Sequence, residues 1–247
     1  MAIRAVLFDL DGTLWTTLPP REDWAPVTAK QAAALTPHFS RLNFSADPTD
    51  FVTRFFAELN ATLSPPTQDF SEPSWYPVLD RVLAGLGHAC ARDEASVIFD
   101  VLNSVPFREL GIEAYADAPA TLTALREQGL LIGAVTNNPK PPHLLAGLAE
   151  GLGLPDVFDV IVSSWELGWR KPHRVPFETA LRTLGVEPHE TVHVGDSLQN
   201  DIAPALELGM TAIYRDNGWP TPDTSPRPHH VIKELSELPD ILSVRPT

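Results

Sequence analysis

The sequence predicts an α/β protein, a doubly wound (Rossmann-like) parallel sheet interrupted by an inserted all-helical domain. Two observations carry this prediction. Short apolar runs alternate with helical patterns over the second half of the chain, and one similar run stands near the N-terminus. Between that first run and the others lie about a hundred residues whose pattern is helical throughout.

Five short apolar runs are the predicted strands. They are residues 5–8, 130–135, 158–162, 191–194 and 211–214. A short continuous apolar run is typical of a strand that is buried on both faces, as in a parallel sheet. All but the last run lead into polar or small residues. Ligands of doubly wound sheets bind outside the carboxyl ends of the strands, so the functional site is predicted there.

Helical patterns separate the later strands. Residues 117–128 place Ala118, Leu122 and Leu125 on one side of a helix, and Gly129 follows as a C-terminal cap. Similar patterns occupy residues 141–152, 173–185 and 200–209. Strand and helix therefore alternate in the order that a doubly wound sheet requires.

Residues 16–115 are predicted to form the inserted helical domain, which leaves 1–15 and 116–247 as the α/β core. Within the insert, the aromatic and aliphatic residues Phe51, Phe55, Leu59 and Leu63 recur every fourth position, which predicts an amphipathic helix. Asp47 supplies a negative charge where that helix begins. The predicted linkers lie near residues 15–20 and 111–118.

Composition limits the classes of partner. The 247 residues include 32 acidic and 18 basic side chains, a formal net charge of −14. Such an excess of negative charge opposes nonspecific binding to nucleic acid or to an anionic membrane. Cys90 is the only cysteine, so an intrachain disulfide is excluded. The sequence has no apolar run of transmembrane length and no signal-peptide pattern, so the predicted location is cytoplasmic.

Residues with complementary chemistry stand at the ends of the predicted strands. They are Asp9 and Asp11 in "DLDGT", Thr136 and Asn137 in "TNN", Lys171 in "GWRKP", and Asp196 and Asp201 in "GDSLQND". Several carboxylates close together repel one another unless a cation neutralises them. Oxygen ligands favour Mg²⁺, whereas a zinc site is disfavoured because the set contains no His or Cys. The donors Thr136, Asn137 and Lys171 suit a phosphoryl group.

The ordered motifs "VLFDLDGT", "AVTNN", Lys171 of "RKP" and "VHVGDSLQND" resemble those of the haloacid dehalogenase superfamily of hydrolases. The helical insert after the first motif resembles the C1-type cap of that family. The resemblance implies that Asp9 is a nucleophile that becomes an aspartyl phosphate and that Asp11 is the general acid and base. It implies Mg²⁺ ligands from Asp9, the backbone carbonyl of Asp11, Asp196 and, directly or through water, Asp201. Thr136 and the Asn137 backbone would hold phosphoryl oxygens, and Lys171 would offset charge.

Asp11 separates branches of this family. The dehalogenases typically carry an aromatic residue at this position and use no Mg²⁺, whereas phosphatases and phosphomutases carry an acid. An acid is needed to protonate an alkoxide leaving group, while a halide leaves without a proton. The prediction is therefore a Mg²⁺-dependent phosphatase, a monomer or homodimer, that acts on a small phosphorylated metabolite. A 2-haloacid dehalogenase, a phosphomutase and a non-catalytic binding protein are the alternatives.

Other conspicuous side chains are predicted to have structural roles. Packing is expected for Trp15, Trp165, Trp169 and Trp219, a satisfied core position for His193, and surface positions for His229 and His230. Phe55, Phe56 and Trp75 are expected in the core of the insert. His173 and Arg174 stand where relatives often carry Asp-Pro after the Lys-Pro pair, which leaves the catalytic positions intact.

Overall fold

The computed structural model describes residues 2–16, 24–63, 69–218 and 226–243. The strands are β1 Ala5–Phe8, β2 Leu131–Thr136, β3 Val160–Ser163, β4 Thr191–Gly195, β5 Thr211–Arg215 and β6 His230–Ile232. The helices are α1 Ala25–Arg41, α2 Pro48–Leu63, α3 Tyr76–Gly85, α4 Arg92–Ser104, α5 Ala118–Glu127, α6 Pro142–Gly151, α7 Ser164–Leu167, α8 Arg174–Leu184, α9 Ala203–Leu208 and α10 Leu238–Ser243.

The strands form one parallel sheet in the order β3-β2-β1-β4-β5-β6. β1 lies at its centre and pairs with β2 on one side and β4 on the other. The chain runs outward from β1 through β2 to β3, then crosses back to build the other half from β4. The strand order thus reverses between β1 and β4, which is the switch point where such sheets bind ligands. The predicted doubly wound sheet is confirmed.

The prediction missed β6, the edge strand that pairs with β5. It is three residues long and follows a proline-rich segment, so its sequence carries no strand period. His230 lies in this strand and is exposed, as expected. The third strand begins at Val160 rather than at 158, because the N–H of Ile132 in β2 donates to the Asp159 carboxylate at 2.8 Å and not to a backbone carbonyl.

Two compact units emerge from the residue contacts. The first contains Met1–Thr17, Asp69–Glu72 and Ile112–Thr247, and the second contains Leu18–Gln68 and Pro73–Gly111. The first unit carries the whole sheet, and α1 to α4 lie in the second. The predicted bounds of the insert, 16–115, differ from these units mainly at residues 69–72, which group with the sheet. That the second unit acts as a cap stays a prediction.

The second unit has its own apolar core. Phe51 and Phe55 of α2 are buried, as predicted, and Phe56 is half-buried. Trp75 stacks on Phe99 with ring centroids 3.7 Å apart. The Asp47 carboxylate accepts hydrogen bonds from the backbone N–H groups of residues 49 and 50 at 2.8 and 3.0 Å, so it caps the start of α2.

Segment 69–72 joins the first unit through the loop that precedes Lys171. The Arg170 N–H donates to the Phe70 carbonyl, and the Glu72 N–H donates to the Gly168 carbonyl, each at 2.8 Å. The Arg170 guanidinium also pairs with the Glu72 carboxylate at 2.8 Å. This segment therefore stabilises the loop that carries Lys171.

None of the helices in the described ranges is long and apolar enough to cross a membrane.

Candidate active site

The residues predicted from the strand ends line one pocket of about 140 Å³. Its walls are Asp9, Asp11, Thr136, Asn137, Lys171, Asp196, Ser197, Asn200 and Asp201. Both aspartates of the first motif follow the central strand, and the flanking strands β2 and β4 deliver Thr136 and Asp196 on either side. The parallel sheet brings the seven predicted residues together because its carboxyl ends share one edge; their roles stay predictions.

A buried lysine bridges two of the acids. Lys171 Nζ donates to Asp9 Oδ1 and to Asp201 Oδ1, each at 2.6 Å. The three side chains are 2%, 8% and 1% exposed, respectively. Burial lowers the pKa of Lys171, but the charges of Asp201 and Asp9 outweigh it, and the pKa is raised above its ordinary value. Lys171 is therefore a permanent positive charge beneath the pocket.

The acids of the pocket differ in pKa because their surroundings differ. Burial raises the pKa of Asp9 well above its ordinary value, against the opposing charge of Lys171. Burial, reinforced by the charge of Asp201, also raises the pKa of Asp196 to about 6. Burial acts upward on Asp201 as well, but Lys171 and His193 outweigh it and hold that pKa at about 2. The single ammonium thus outweighs burial at Asp201 but not at Asp9 or Asp196.

The donor set fits a hard divalent cation. One carboxylate oxygen from each of Asp9, Asp196 and Asp201 lies within 4.8 Å of the other two. Three carboxylates and one ammonium leave a net negative charge in a small volume, and oxygen-rich groups of this kind bind Mg²⁺ or Ca²⁺. The oxygens of Asp201 already accept hydrogen bonds from Lys171, His193 and the Ser197 N–H, so Asp9 and Asp196 have more freedom to ligate.

Two glycines allow these acids to approach the backbone. Gly12 has a φ of +86°, and a Cβ there would lie 2.2 Å from Asp196 Oδ2. A Cβ on Gly195 would lie 2.3 Å from the Asp201 Cγ. Any larger residue would push a carboxylate out of the cluster, so space requires both glycines, and the left-handed backbone of Gly12 requires glycine there for a second reason.

The end of β5 also contributes to the site, although no site residue is predicted there from the sequence. Arg215 Nη1 donates to the Gly12 carbonyl at 2.9 Å, and its guanidinium lies 3.5 Å over the Tyr115 ring. Asn217 Nδ2 donates to Asp196 Oδ2 at 2.9 Å. The expectation that the last predicted strand lacks polar followers is therefore wrong. The signal was present, because residues 215–217 are polar and follow the strand directly.

Each residue of "TNN" has a different surrounding. Thr136 ends β2 and is buried. The Asn137 side chain clamps the backbone of Lys171: its Oδ1 accepts from the Lys171 N–H at 2.6 Å and its Nδ2 donates to the Lys171 carbonyl at 2.9 Å. Asn138, which sequence reasoning missed, donates through Nδ2 to Asp11 Oδ2 at 3.0 Å. The loop after β2 therefore fixes both Lys171 and Asp11.

Trp15 does more than pack. It is fully buried, as expected, but its Nε1 donates to Asp11 Oδ1 at 2.8 Å. Lys140 lies between β2 and α6. Burial lowers the pKa of Lys140, and the negative charge of Asp11 opposes that shift. Asp11 is half-buried and accepts a hydrogen bond on each oxygen.

His193 is a core residue that touches the site. It is fully buried in β4, and its Nε2 lies 3.1 Å from Asp201 Oδ1. Burial lowers the pKa of His193, so the neutral ring donates its Nε2–H to the carboxylate. Its Nδ1 has no hydrogen-bond partner within the described part of the chain. The prediction of a satisfied core histidine is therefore wrong for Nδ1.

The remaining aromatic residues lie outside the pocket wall. Trp169 stacks on the His173 ring with centroids 4.2 Å apart, and Trp165 is half-buried. Arg174 pairs with Glu178 one turn along α8 on the surface. The His229 ring accepts a hydrogen bond from the backbone N–H of residue 212 at 3.1 Å. Trp219 falls outside the described residues.

The fold and the pocket define a class of enzyme in which carboxylates, hydrogen-bond donors and a buried lysine meet at the switch point of a doubly wound sheet. The chain belongs to the haloacid dehalogenase-like hydrolases, whose family model matches residues 3–209.

Individual relatives carry two kinds of name. A ribulose-1,5-bisphosphate 5-phosphatase from Halopiger xanaduensis is 31% identical over 247 residues, 97% of this chain and 99% of that protein. A phosphoglycolate phosphatase from Rhodospirillum rubrum is 30% identical and spans 87% of this chain and 80% of that protein. Among solved structures, a 2-haloacid dehalogenase from Pseudomonas syringae pv. Tomato has a TM-score of 0.67 at 27% identity, and a HAD phosphatase from Thermococcus onnurineus has 0.61 at 26%. Each of these two comparisons covers 98% of both chains.

Proposed function

We propose that this hydrolase is a Mg²⁺-dependent phosphatase that cleaves a small phosphorylated metabolite through an aspartyl phosphate on Asp9. The observation that carries the proposal is the second acid of the first motif. Asp9 and Asp11 line the same pocket as Lys171 and the acidic cluster, which supports the proposed roles of Asp9 as nucleophile, Asp11 as proton donor and Lys171 as a charge-compensating group. The names of the full-length relatives, both phosphatases, support the same chemistry.

The proposed metal ligands are Asp9, the backbone carbonyl of Asp11 and Asp196, with Asp201 supporting the site indirectly. Mg²⁺ supplies positive charge for the phosphoryl oxygens and for the carboxylates. Asn217 holds Asp196 at 2.9 Å, the kind of supporting hydrogen bond that orients a metal-binding carboxylate.

Asp9 forms the covalent bond in the first half-reaction. Its carboxylate oxygen attacks phosphorus, and the bond from phosphorus to the ester oxygen breaks with its electron pair on that oxygen. Asp11 gives its proton to the same oxygen, so an alcohol leaves and Asp11 becomes a carboxylate. Lys171 stays beside Asp9 throughout, and its positive charge offsets the charge that the phosphoryl group brings.

Asp11 reverses its role in the second half-reaction. Its carboxylate takes a proton from water as the water oxygen attacks phosphorus. The bond between phosphorus and the Asp9 oxygen then breaks, phosphate is released, and both aspartates return to their starting states. Thr136 and the Asn137 backbone are proposed to hold the phosphoryl oxygens during both steps.

The second unit is proposed to act as a C1-type cap. Closure of a helical domain over the pocket would exclude water and would select for small substrates. The pocket volume of about 140 Å³ is suited to a phosphoryl group rather than to a whole metabolite, so specificity for the rest of the substrate must come from elsewhere.

A 2-haloacid dehalogenase is the second candidate, favoured by the solved structure of that name at a TM-score of 0.67. That reaction also starts with carboxylate attack, but the halide leaves as an anion and needs neither Asp11 nor a metal. The dehalogenase reaction therefore gives no role to the net negative cluster around Asp196 or to the hydrogen bonds that Asp11 accepts. Release of halide from a 2-haloacid in the presence of EDTA would establish this second function.

Hydrolysis of 4-nitrophenyl phosphate with and without Mg²⁺ tests the proposal. We expect turnover that EDTA abolishes and that Asp9→Asn reduces by at least ~1000-fold, because the nucleophile is lost. Asp100→Asn is the matched control, since Asp100 is exposed on α4 in the second unit. Circular dichroism establishes that both variants are folded. Activity that survives in folded Asp9→Asn protein would rule out the proposed nucleophile.

A further inference from the structure

We infer that Trp15 and Asn138 are positioning residues that hold the Asp11 carboxyl group for proton transfer to the leaving group. This inference rests on the proposed function, in which Asp11 is the general acid. Trp15 Nε1 donates to Asp11 Oδ1 at 2.8 Å, and Asn138 Nδ2 donates to Asp11 Oδ2 at 3.0 Å. Each carboxyl oxygen thus has one donor of its own, and together the two donors fix the plane of the group.

The indole donor is held rigidly. Trp15 is fully buried, so its ring has no room to change rotamer. Its backbone is fixed on both sides, because its N–H donates to the Leu10 carbonyl at 3.2 Å and its carbonyl accepts from the Gly12 N–H at 2.8 Å. The next residue, Thr16, donates its N–H to the Glu113 carbonyl at 2.8 Å. The tight turn after β1 therefore carries both Asp11 and its donor.

The amide donor is oriented at a cost. Asn138 is 7% exposed, and its Oδ1 has no hydrogen-bond partner among the residues that the structure describes. Exchanging Oδ1 and Nδ2 would place an oxygen against an Asp11 oxygen, so the amide keeps its donor toward the acid and leaves its acceptor unsatisfied. Buried polar groups are rarely left in this state. The compensating effect of this arrangement is that Asn138 orients the Asp11 carboxyl group.

The two donors also favour the product of proton transfer. When Asp11 gives its proton to the ester oxygen, it becomes a carboxylate that faces an indole N–H and an amide N–H. Hydrogen bonds to an ionised acceptor are stronger than those to a neutral one, so both contacts strengthen as the proton leaves. Each oxygen still has a further lone-pair direction for the substrate or for water in the pocket that Asp11 lines.

A purely structural role predicts a different outcome. A buried indole N–H needs a partner, and Asp11 would serve as one without any consequence for proton transfer. Loss of that contact would then slow all phosphate esters alike. Loss of a positioning residue slows most those esters whose leaving group depends on a proton from Asp11.

Two matched esters separate these roles. Phenyl phosphate and 4-nitrophenyl phosphate have similar shapes, but phenol is the weaker acid, so its departure depends more on proton donation. The quantity measured is kcat/KM for each ester in saturating Mg²⁺, in wild-type protein and in Trp15→Phe, Asn138→Ala and Asp11→Asn. Trp75→Phe is the control, since Trp75 is an equally buried tryptophan in the other unit.

We expect Trp15→Phe to raise the ratio of kcat/KM for the nitrophenyl ester over the phenyl ester by ~10-fold, because general acid catalysis contributes ~10²–10⁴-fold and part of it depends on orientation. Asn138→Ala is expected to raise the ratio similarly, and it provides the test if Trp15→Phe does not fold. Trp75→Phe is expected to leave the ratio unchanged.

The possible failures are distinguishable. If Asp11→Asn raises the ratio while Trp15→Phe and Asn138→Ala leave it unchanged or lower it, the positioning inference is overturned and the proposed function stands. If Asp11→Asn itself leaves the ratio unchanged, or if wild-type protein hydrolyses neither ester, the proposed function fails and the inference fails with it.

Discussion

Lys171→Met is expected to lower the free energy of unfolding by several kcal/mol. Lys171 Nζ lies 2.6 Å from an oxygen of Asp9 and from an oxygen of Asp201, and the three side chains are at most 8% exposed. Methionine keeps the unbranched shape of lysine but not its charge, so two buried carboxylates lose their partner. Removal of one member of a buried ion pair costs about 3–5 kcal/mol in the free energy of unfolding.

The cost should depend on pH. Without Lys171, the already raised folded-state pKa of Asp9 rises further, and burial raises the pKa of Asp201 from below to above its value in the unfolded chain. The folded state then binds protons that the unfolded state has already lost, so the variant regains stability as the pH falls through those raised values. The recovery is about 1.4 kcal/mol per pH unit for each carboxyl group that is protonated only in the folded state.

Urea unfolding in EDTA at pH 8 and pH 5.5, followed by tryptophan fluorescence, measures the free energy of unfolding and its pH dependence. Lys233→Met is the matched control, because Lys233 is exposed in the same unit and its loss should cost less than about 0.5 kcal/mol. Adding Asp201→Asn to Lys171→Met should restore part of the stability, since one unpaired charge is removed. A cost for Lys171→Met no larger than for Lys233→Met, or one that does not shrink at pH 5.5, would refute the reasoning.

Two further predictions concern the acidic cluster. The Asp196 pKa of about 6 means that the folded, metal-free protein holds a proton that the unfolded chain loses near pH 4. The free energy of unfolding therefore rises as the pH falls from about 6 to about 4. Mg²⁺ must displace that proton, so calorimetric Mg²⁺ affinity should fall by up to ~10-fold per pH unit below about pH 6; equal affinities at pH 5 and 7.5 would contradict this. Gly12→Ala should lower the free energy of unfolding more than Gly209→Ala does. Both glycines have a positive φ, +86° and +84°, but only at Gly12 would the new Cβ meet another atom, Asp196 Oδ2 at 2.2 Å. The control should lose only the ~1–2 kcal/mol of left-handed strain, whereas Gly12→Ala should also weaken Mg²⁺ binding by at least ~10-fold; equal losses in both variants would contradict the steric argument.

The site residues that can be predicted from the sequence are those that stand close to the end of an apolar run. Asp9 and Thr136 follow predicted strands directly, and Asp11 and Asp196 follow within three residues, so the strand prediction places all four at the same sheet edge. Lys171 lies farther from its strand, and the motif order located it. The sixth strand was missed because His230–Ile232 is too short to show a period.

The parts that sequence reasoning missed depend on contacts between distant residues. Asn138 meets Asp11 across 127 positions, and Arg215 meets the Gly12 carbonyl across 203. An asparagine after "TN" or an arginine at a strand end carries no sign of its partner. The sequence predicts only packing for Trp15, because burial of an indole is predictable from its size whereas the acceptor of its N–H is not.

Hydrophobic period and strand-end chemistry are local properties of the chain, so the sequence alone predicts a doubly wound parallel sheet and the seven residues that meet at its carboxyl edge. The pKa of each group depends instead on the folded structure. Asp9, Asp196 and Asp201 are the same residue type, yet burial, Lys171 and His193 shift their pKa values in different directions. Coulomb interaction and desolvation act over a few ångströms of space, and those distances exist only once the chain has folded.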